Sequence, residues 1–125
     1  MKNKRRVLII EGDPWLADLY RVTLESKFEV GVAGDVPEAI DAIEVKAPEA
    51  IVLDLTLPEY NGVALLHELR SHPYYSKIPV ILHSAIHPER CALNRNQWHQ
   101  YGVVDYVYKM DSSMQTLVVA VERLF

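Results

Sequence analysis

Apolar residues in this sequence form five short runs, and longer segments with helical spacing separate each run from the next. Short, nearly continuous apolar runs predict strands that are buried on both faces of a sheet. The predicted strands are Arg6–Ile10, Phe28–Val32, Ala50–Leu53, Val80–His83 and Val103–Tyr108. Strands that alternate with helices predict an α/β fold, in which helices cover both faces of a parallel sheet.

Start signals for helices stand between the predicted strands. Asp13 followed by Pro14 predicts an N-cap with proline in the first turn of helix one. Asp35, with Glu38 in the third position after it, resembles a capping box and predicts the start of helix two. We expect both helices to bury apolar stripes, which are Leu16, Leu19, Tyr20 and Leu24 in helix one and Ala39, Ile40 and Ile43 in helix two.

Three more helices are predicted in the second half of the chain. A turn between Pro58 and Gly62 precedes helix three, whose stripe is Leu65, Leu66 and Leu69. The segment Pro88–Gln100 is predicted as helix four despite a weak apolar stripe, and helix five runs from Met114 to the end of the chain. Five strand–helix units favour an open, doubly wound sheet over an eight-unit barrel, which needs about twice the residues.

Length and charge narrow the class of protein. A chain of 125 residues is the size of one ordinary domain, so we expect a single domain over residues 1–125. The net charge of −4 argues against a nucleic-acid binder that works mainly through electrostatics. Cys91 is the single cysteine, and no apolar run, Val7–Ile10 included, is long enough for a membrane span or signal peptide. We therefore expect a cytoplasmic protein.

Polar residues directly follow four of the predicted strands. They are Glu11, Gly12 and Asp13 after the first strand, Asp54 after the third, Ser84 after the fourth and Lys109 after the fifth. In doubly wound sheets, ligands bind beyond the carboxyl ends of the strands, so these groups are expected to converge. Carboxylates from two strand ends suit Mg²⁺, and an aspartate beside a metal and a lysine can attack phosphorus.

These segments carry a resemblance to a known family. The matching segments are Val7–Glu11, Ile51–Pro58 closed by Gly62, Ile78–Ala85, and Gly102 with Asp105–Lys109. In this order they resemble the receiver domain of two-component response regulators, with the chemotaxis-regulator fold. The resemblance covers nearly the whole chain and implies a flavodoxin-like five-stranded parallel sheet with strand order 2-1-3-4-5.

The resemblance also implies a function. A phosphoryl group would pass from the phosphohistidine of a sensor histidine kinase or phosphotransfer protein to Asp54. Ser84 and Lys109 would then bind the phosphoryl oxygens, and Tyr106, the switch aromatic, would turn from exposed to buried. The partner-binding face would be helix four, strand five and helix five, which serves a downstream protein effector or a homodimer. The protein would not be an enzyme, because it turns over no separate substrate.

The family's Mg²⁺ site is only partly present in this sequence. The resemblance implies that Asp54, the backbone carbonyl of Thr56 and, through water, Glu11 hold the metal. The family's second acid falls at Gly12, which offers no side-chain ligand, so we expect weakened Mg²⁺ binding. Asp13 either fills the gap or serves as the N-cap before Pro14, and the cap is the favoured interpretation.

A second departure lies next to the lysine. Met110 stands where the family usually has proline, often after a cis peptide. Either the Lys109–Met110 bond is trans and the loop is rerouted, or packing holds a strained bond. The two departures leave an alternative open, which is a pseudo-receiver that acts as an interaction module without phosphorylation.

His83 adjoins Ser84, but neighbouring strand residues face opposite sides, so a packed histidine is favoured over an acid–base group.

Helix five ends at Leu124–Phe125, so the predicted domain takes up all of the given sequence. We therefore expect output through another protein, unless the given sequence is a fragment of a longer regulator, and we expect no direct binding of nucleic acid or membrane.

Overall fold

The fold is a parallel sheet between two layers of helices. The computed structural model describes residues 4–56, 62–91, 93–110 and 112–125. Its strands are β1 (Arg6–Ile10), β2 (Glu29–Ala33), β3 (Ala50–Leu53), β4 (Val80–Ser84) and β5 (Val103–Tyr108). They form one five-stranded sheet in the order β2-β1-β3-β4-β5. This confirms the predicted α/β class and the strand order that the family resemblance implies.

The helices of the described residues are α1 (Pro14–Leu24), α2 (Val36–Val45), α3 (Gly62–Ser71), α4 (Arg95–Gln100) and α5 (Met114–Glu122). The predicted N-cap of α1 is confirmed, because Asp13 Oδ1 accepts hydrogen bonds from the Trp15 and Leu16 amides at 2.9 and 3.3 Å. No helix in this part of the chain is long and apolar enough to cross a membrane.

The capping box of α2 is only half as predicted. Asp35 accepts the Glu38 amide at 2.8 Å, as expected for an N-cap. The Glu38 side chain, however, accepts from the Gly34 amide at 2.6 Å instead of the Asp35 amide. The reciprocal bond of the capping box is therefore made one residue earlier.

The prediction of one helix over Pro88–Gln100 is wrong. The chain forms a 3₁₀ turn at Pro88–Arg90, leaves helical geometry at Cys91 (φ −63°, ψ 139°), and starts α4 at a second cap. Asn94 accepts the Gln97 amide at 2.9 Å, and the Gln97 side chain accepts the Asn94 amide at 2.9 Å. This complete capping box favours a new helix start over continuation of the first turn.

The predicted buried stripe of α1 is also partly wrong. Ala17, Tyr20 and Leu24 are buried, whereas Leu19 is 38% exposed. Helical spacing groups Leu19 with Tyr20, but the face of α1 that packs against the sheet includes Ala17 instead of Leu19. An apolar residue of α1 thus faces solvent.

Two apolar clusters hold the layers together. Leu8, Ile10 and Leu53 point to the side covered by α2 and α3, while Val7 and Ile9 point to the side covered by α1 and α5. Each buried aliphatic side chain contributes about 1.5 to 3 kcal/mol. Alternate β1 residues are thus buried on opposite sides, which explains the continuous apolar run.

The close approach of α3 to the end of β3 explains Gly62. A Cβ at Gly62 would lie 2.9 Å from Leu55 Cα, too close for any residue but glycine. The Gly62 amide donates to the Leu55 carbonyl at 2.8 Å. The predicted turn at Pro58 lies outside the described residues.

Candidate functional site

The sheet register brings four predicted site residues to one edge. Ile10 of β1 pairs with Leu53 of β3, so the residues that follow them, Glu11 and Asp54, are neighbours. The Lys109 amide donates to the Ser84 carbonyl at 2.8 Å, which joins β5 to β4 in the same way. The resulting cluster is buried, with Glu11, Asp54 and Ser84 exposed by 4%, 6% and 0%.

Lys109 bridges the two buried carboxylates. Its Nζ lies 2.5 Å from Glu11 Oε1 and 3.0 Å from Asp54 Oδ2. Burial alone would lower the pKa of Lys109, but hydrogen bonds to Glu11 and Asp54 and the charges of both outweigh burial and raise it. One ammonium therefore balances two carboxylates, and the buried cluster keeps a net negative charge.

The other carboxylate oxygen of Asp54 is held by Thr56. Asp54 Oδ1 accepts from the Thr56 amide at 3.0 Å and from the Thr56 hydroxyl at 2.9 Å. The plane of the carboxylate is thus fixed from both sides, by Thr56 and Lys109. The family resemblance implies a role only for the carbonyl of Thr56, and the contacts of its side chain were not predicted. The signal was the Asp-x-Thr spacing, because Asp side chains commonly accept from the backbone two residues on.

The donor chemistry of the cluster fits a small, hard cation. Glu11 and Asp54 supply two carboxylates, and Mg²⁺ commonly takes one or two carboxylates together with water. Glu11 Oε2 also accepts the Asp13 amide at 3.1 Å, while the Asp13 carboxylate caps α1. Within the described residues, no three acidic, histidine or cysteine side chains group together as metal ligands.

Ser84 is linked to the predicted switch residue. Its Oγ accepts the Ile86 amide at 3.1 Å, and the Tyr106 hydroxyl donates to the Ile86 carbonyl. Tyr106 is half-buried in the unmodified chain. This differs from the exposed starting position that the family resemblance implies.

The aromatic residues near α4 and β5 pack against the domain. The Tyr106 ring stacks on Trp98, with centroids 5.4 Å apart and planes at 19°. The Tyr101 hydroxyl lies 2.6 Å from His67 Nε2. Trp98, Tyr101 and Tyr106 all contact the apolar cluster on the α2 and α3 side. Part of each ring is therefore buried against the core, and the rest is exposed to solvent.

The peptide bond after Lys109 has the trans form, which is one of the two predicted alternatives. No cis peptide occurs in the described residues, which include the Lys109–Met110 bond, so that bond is trans. Beyond it, the Ser112 hydroxyl donates to the Tyr108 carbonyl at 2.5 Å.

His83 is a packed side chain. It is 4% exposed, and its ring centroid lies 4.9 Å from that of Tyr20. Burial, helped by the charge of Lys109, lowers the pKa of His83 to about 4, so the ring is neutral at pH 7. The centroid of the Tyr20 ring in turn lies 5.9 Å from Lys109 Nζ, and this neighbour of the lysine was not predicted from the sequence.

Known proteins resemble this chain in sequence and in structure. The DNA-binding response regulator MtrA of Mycolicibacterium smegmatis is 31% identical over 83 residues, which are 66% of this chain and 35% of that protein. Hybrid signal transduction histidine kinase D of Dictyostelium discoideum is 33% identical over 122 residues, which are 98% of this chain and 8% of that protein. The chain thus spans 35% or less of the length of these relatives.

A solved structure gives the same fold. The chemotaxis response regulator CheY4 of Vibrio cholerae superposes with a TM-score of 0.84 at 19% identity, over 98% of this chain and 100% of that chain. A family model described as the response regulator receiver domain matches residues 7–122. The chain therefore belongs to the response regulator receiver domain family of two-component systems.

Proposed function

We propose that this receiver accepts a phosphoryl group on Asp54 from a histidine kinase or phosphotransfer protein. The observation that carries the proposal is the buried bridge of Lys109 between Asp54 and Glu11, at 3.0 and 2.5 Å. A buried aspartate oriented by an ammonium can act as a nucleophile toward phosphorus, because the cation offsets charge on the phosphoryl oxygens. Receiver domains are signalling modules that work with such kinases and with effectors.

In the proposed transfer, an Asp54 carboxylate oxygen attacks the phosphorus of a phosphohistidine. The new O–P bond forms as the P–N bond breaks, and the imidazole nitrogen keeps the electron pair and takes up a proton. Lys109 and the Ser84 hydroxyl would bind oxygens of the transferred group. Glu11, Asp54 and the Thr56 carbonyl would hold Mg²⁺, which supplies positive charge to the phosphoryl oxygens when it is bound.

We place residues 1–125 in one cytoplasmic receiver domain that turns over no separate substrate. Its output would pass to a downstream protein through the face of α4, β5 and α5, which is also the face proposed for a homodimer.

The first prediction tests the acceptor directly. Incubation with phosphoramidate and Mg²⁺ should add the mass of one phosphoryl group to the wild-type chain. Asp54→Asn should abolish this increase, because the amide keeps the shape of Asp54 but is a poor nucleophile. Intact-protein mass spectrometry measures both. An unlabelled wild type at every Mg²⁺ concentration would contradict the proposal, as would full labelling of Asp54→Asn.

One observation favours a second candidate function, a pseudo-receiver that acts without phosphate. In the described part of the chain, Glu11 and Asp54 have no third acidic, histidine or cysteine side chain beside them that completes a metal-binding group. A receiver that binds Mg²⁺ too weakly for phosphoryl transfer would keep only the fold and the partner-binding face. The phosphoramidate experiment separates the two functions.

A docking surface for the phosphodonor lies on α1. Trp15, Leu19 and Val22, at positions i, i+4 and i+7, share one helix face and are 75%, 38% and 52% exposed. Contiguous exposed apolar residues commonly mark an interface. Because α1 begins at Pro14, close to Glu11 in sequence, a partner seated on this stripe reaches the edge of the sheet that holds Asp54.

The second prediction tests this stripe. Val22→Arg should raise the KM for a histidine kinase that labels the wild-type chain by about ten-fold, since loss of an interface anchor costs about 1 to 2 kcal/mol. Labelling by phosphoramidate should not change. Val45→Arg is the matched control, because Val45 is 87% exposed at the end of α2. Equal effects of the two variants, or none from Val22→Arg, would remove α1 as the docking surface.

A further inference from the structure

Trp98 is fixed on α4 and stacks on Tyr106. The two ring centroids are 5.4 Å apart with planes at 19°. The indole Nε1 donates to the Leu93 carbonyl at 3.1 Å, and the Arg95 guanidinium carbon lies 5.6 Å from the indole centroid. The indole is therefore held in place and limits the positions open to the Tyr106 ring.

Hydrogen bonds through Ile86 connect Tyr106 to Ser84. Its hydroxyl donates to the Ile86 carbonyl, while the Ile86 amide donates to Ser84 Oγ at 3.1 Å. Burial raises the pKa of Tyr106 above its ordinary value. The phenol thus keeps its proton at neutral pH and remains a donor to the loop after β4.

We propose that Trp98 is a positioning residue that holds Tyr106 half-buried, and through Ile86 orients Ser84, before any phosphoryl group is attached. The inference rests on the proposed function only in taking Ser84 as the phosphoryl-binding hydroxyl. A donor that is already oriented needs no reorganisation during transfer. Phosphorylation would then move Tyr106 little, and the face of α4 and β5 would be preset in the unmodified chain.

The first test observes Tyr106 without phosphate. The chain has seven tyrosines, and in fluorotyrosine-labelled protein the Tyr106→Phe variant identifies the ¹⁹F resonance of Tyr106. Trp98→Ala should shift this resonance toward the position of free fluorotyrosine, whereas Trp98→Phe, which keeps a ring for stacking, should hold it near the wild-type position. An unchanged Tyr106 resonance in Trp98→Ala would overturn the proposal, even if that variant unfolds more easily.

The second test measures the rate of phosphoramidate labelling. Trp98→Ala should lower the rate constant by about ten-fold at saturating phosphoramidate, because a misplaced binding group costs up to about 100-fold. Trp98→Phe should restore the rate. Equal rates in wild type and Trp98→Ala would overturn the link to Ser84. If the wild type is not labelled at all, the proposed function fails, and the Tyr106 resonance alone decides whether Trp98 positions that ring.

Discussion

Lys109→Met should lower the free energy of unfolding at pH 7 by about 3 to 5 kcal/mol, a typical cost of breaking a buried ion pair from one side. The variant keeps most of the side-chain volume but leaves Glu11 and Asp54, each under 10% exposed, without their shared cation. Urea denaturation followed by circular dichroism gives the difference between variant and wild type.

The matched control for this change is Lys27→Met. Lys27 pairs with Glu122 at 2.9 Å, but both side chains are largely exposed, so the expected loss is about 0 to 1 kcal/mol. A Lys109→Met variant no less stable than Lys27→Met would show that the buried bridge does not hold the site together.

The pH dependence of the Lys109 effect follows from its pKa. Because the folded-state pKa of Lys109 lies above the ordinary 10.5, its contribution is complete below about pH 10.5. The contribution is lost as the pH rises through the folded-state value, where the native lysine gives up its proton. The gap between wild type and Lys109→Met should therefore persist from pH 7 to about pH 10 and narrow above that.

The parts of the fold with a strong local pattern were predictable from the sequence. Arg6–Ile10 and Ala50–Leu53 were predicted with the observed bounds, because a strand buried on both faces leaves a nearly continuous apolar run. The Asp13 cap was also predictable, since a capping side chain acts on its own neighbours. The single helix predicted over Pro88–Gln100 was wrong. This polar segment contains two N-caps and has no clear apolar stripe, so the sequence pattern does not show where the helix is interrupted.

The residues that form the site were easier to predict from the sequence than the contacts between their atoms. Strand ends identify Glu11, Asp54 and Lys109, because parallel strands meet at one edge of the sheet. Sequence spacing does not tell which partner each oxygen takes, and so the hydroxyl of Thr56 on Asp54 Oδ1 was missed. Leu19 was misplaced for a related reason, because helical spacing leaves the rotation of α1 on the sheet undetermined.

Gly12→Asp should raise the affinity for Mg²⁺ by about ten-fold, equivalent to about 1.4 kcal/mol. The variant adds a carboxylate next to Glu11, and the charge count of the ligands is a main determinant of affinity at such sites. Among the described glycines only Gly102 has positive φ, so an aspartate at position 12 meets no strain from left-handed backbone. Isothermal titration calorimetry with MgCl₂ measures the change.

The charge of the new side chain, rather than its oxygen atoms alone, should account for the gain from Gly12→Asp. Gly12→Asn offers a neutral oxygen of the same reach and should gain less affinity than Gly12→Asp. Without Mg²⁺, Gly12→Asp should unfold at a lower urea concentration than wild type, because a third carboxylate joins two that share one lysine. Saturating Mg²⁺ should reverse that order. Equal Mg²⁺ affinity in wild type and Gly12→Asp would show that the missing carboxylate at position 12 does not weaken Mg²⁺ binding.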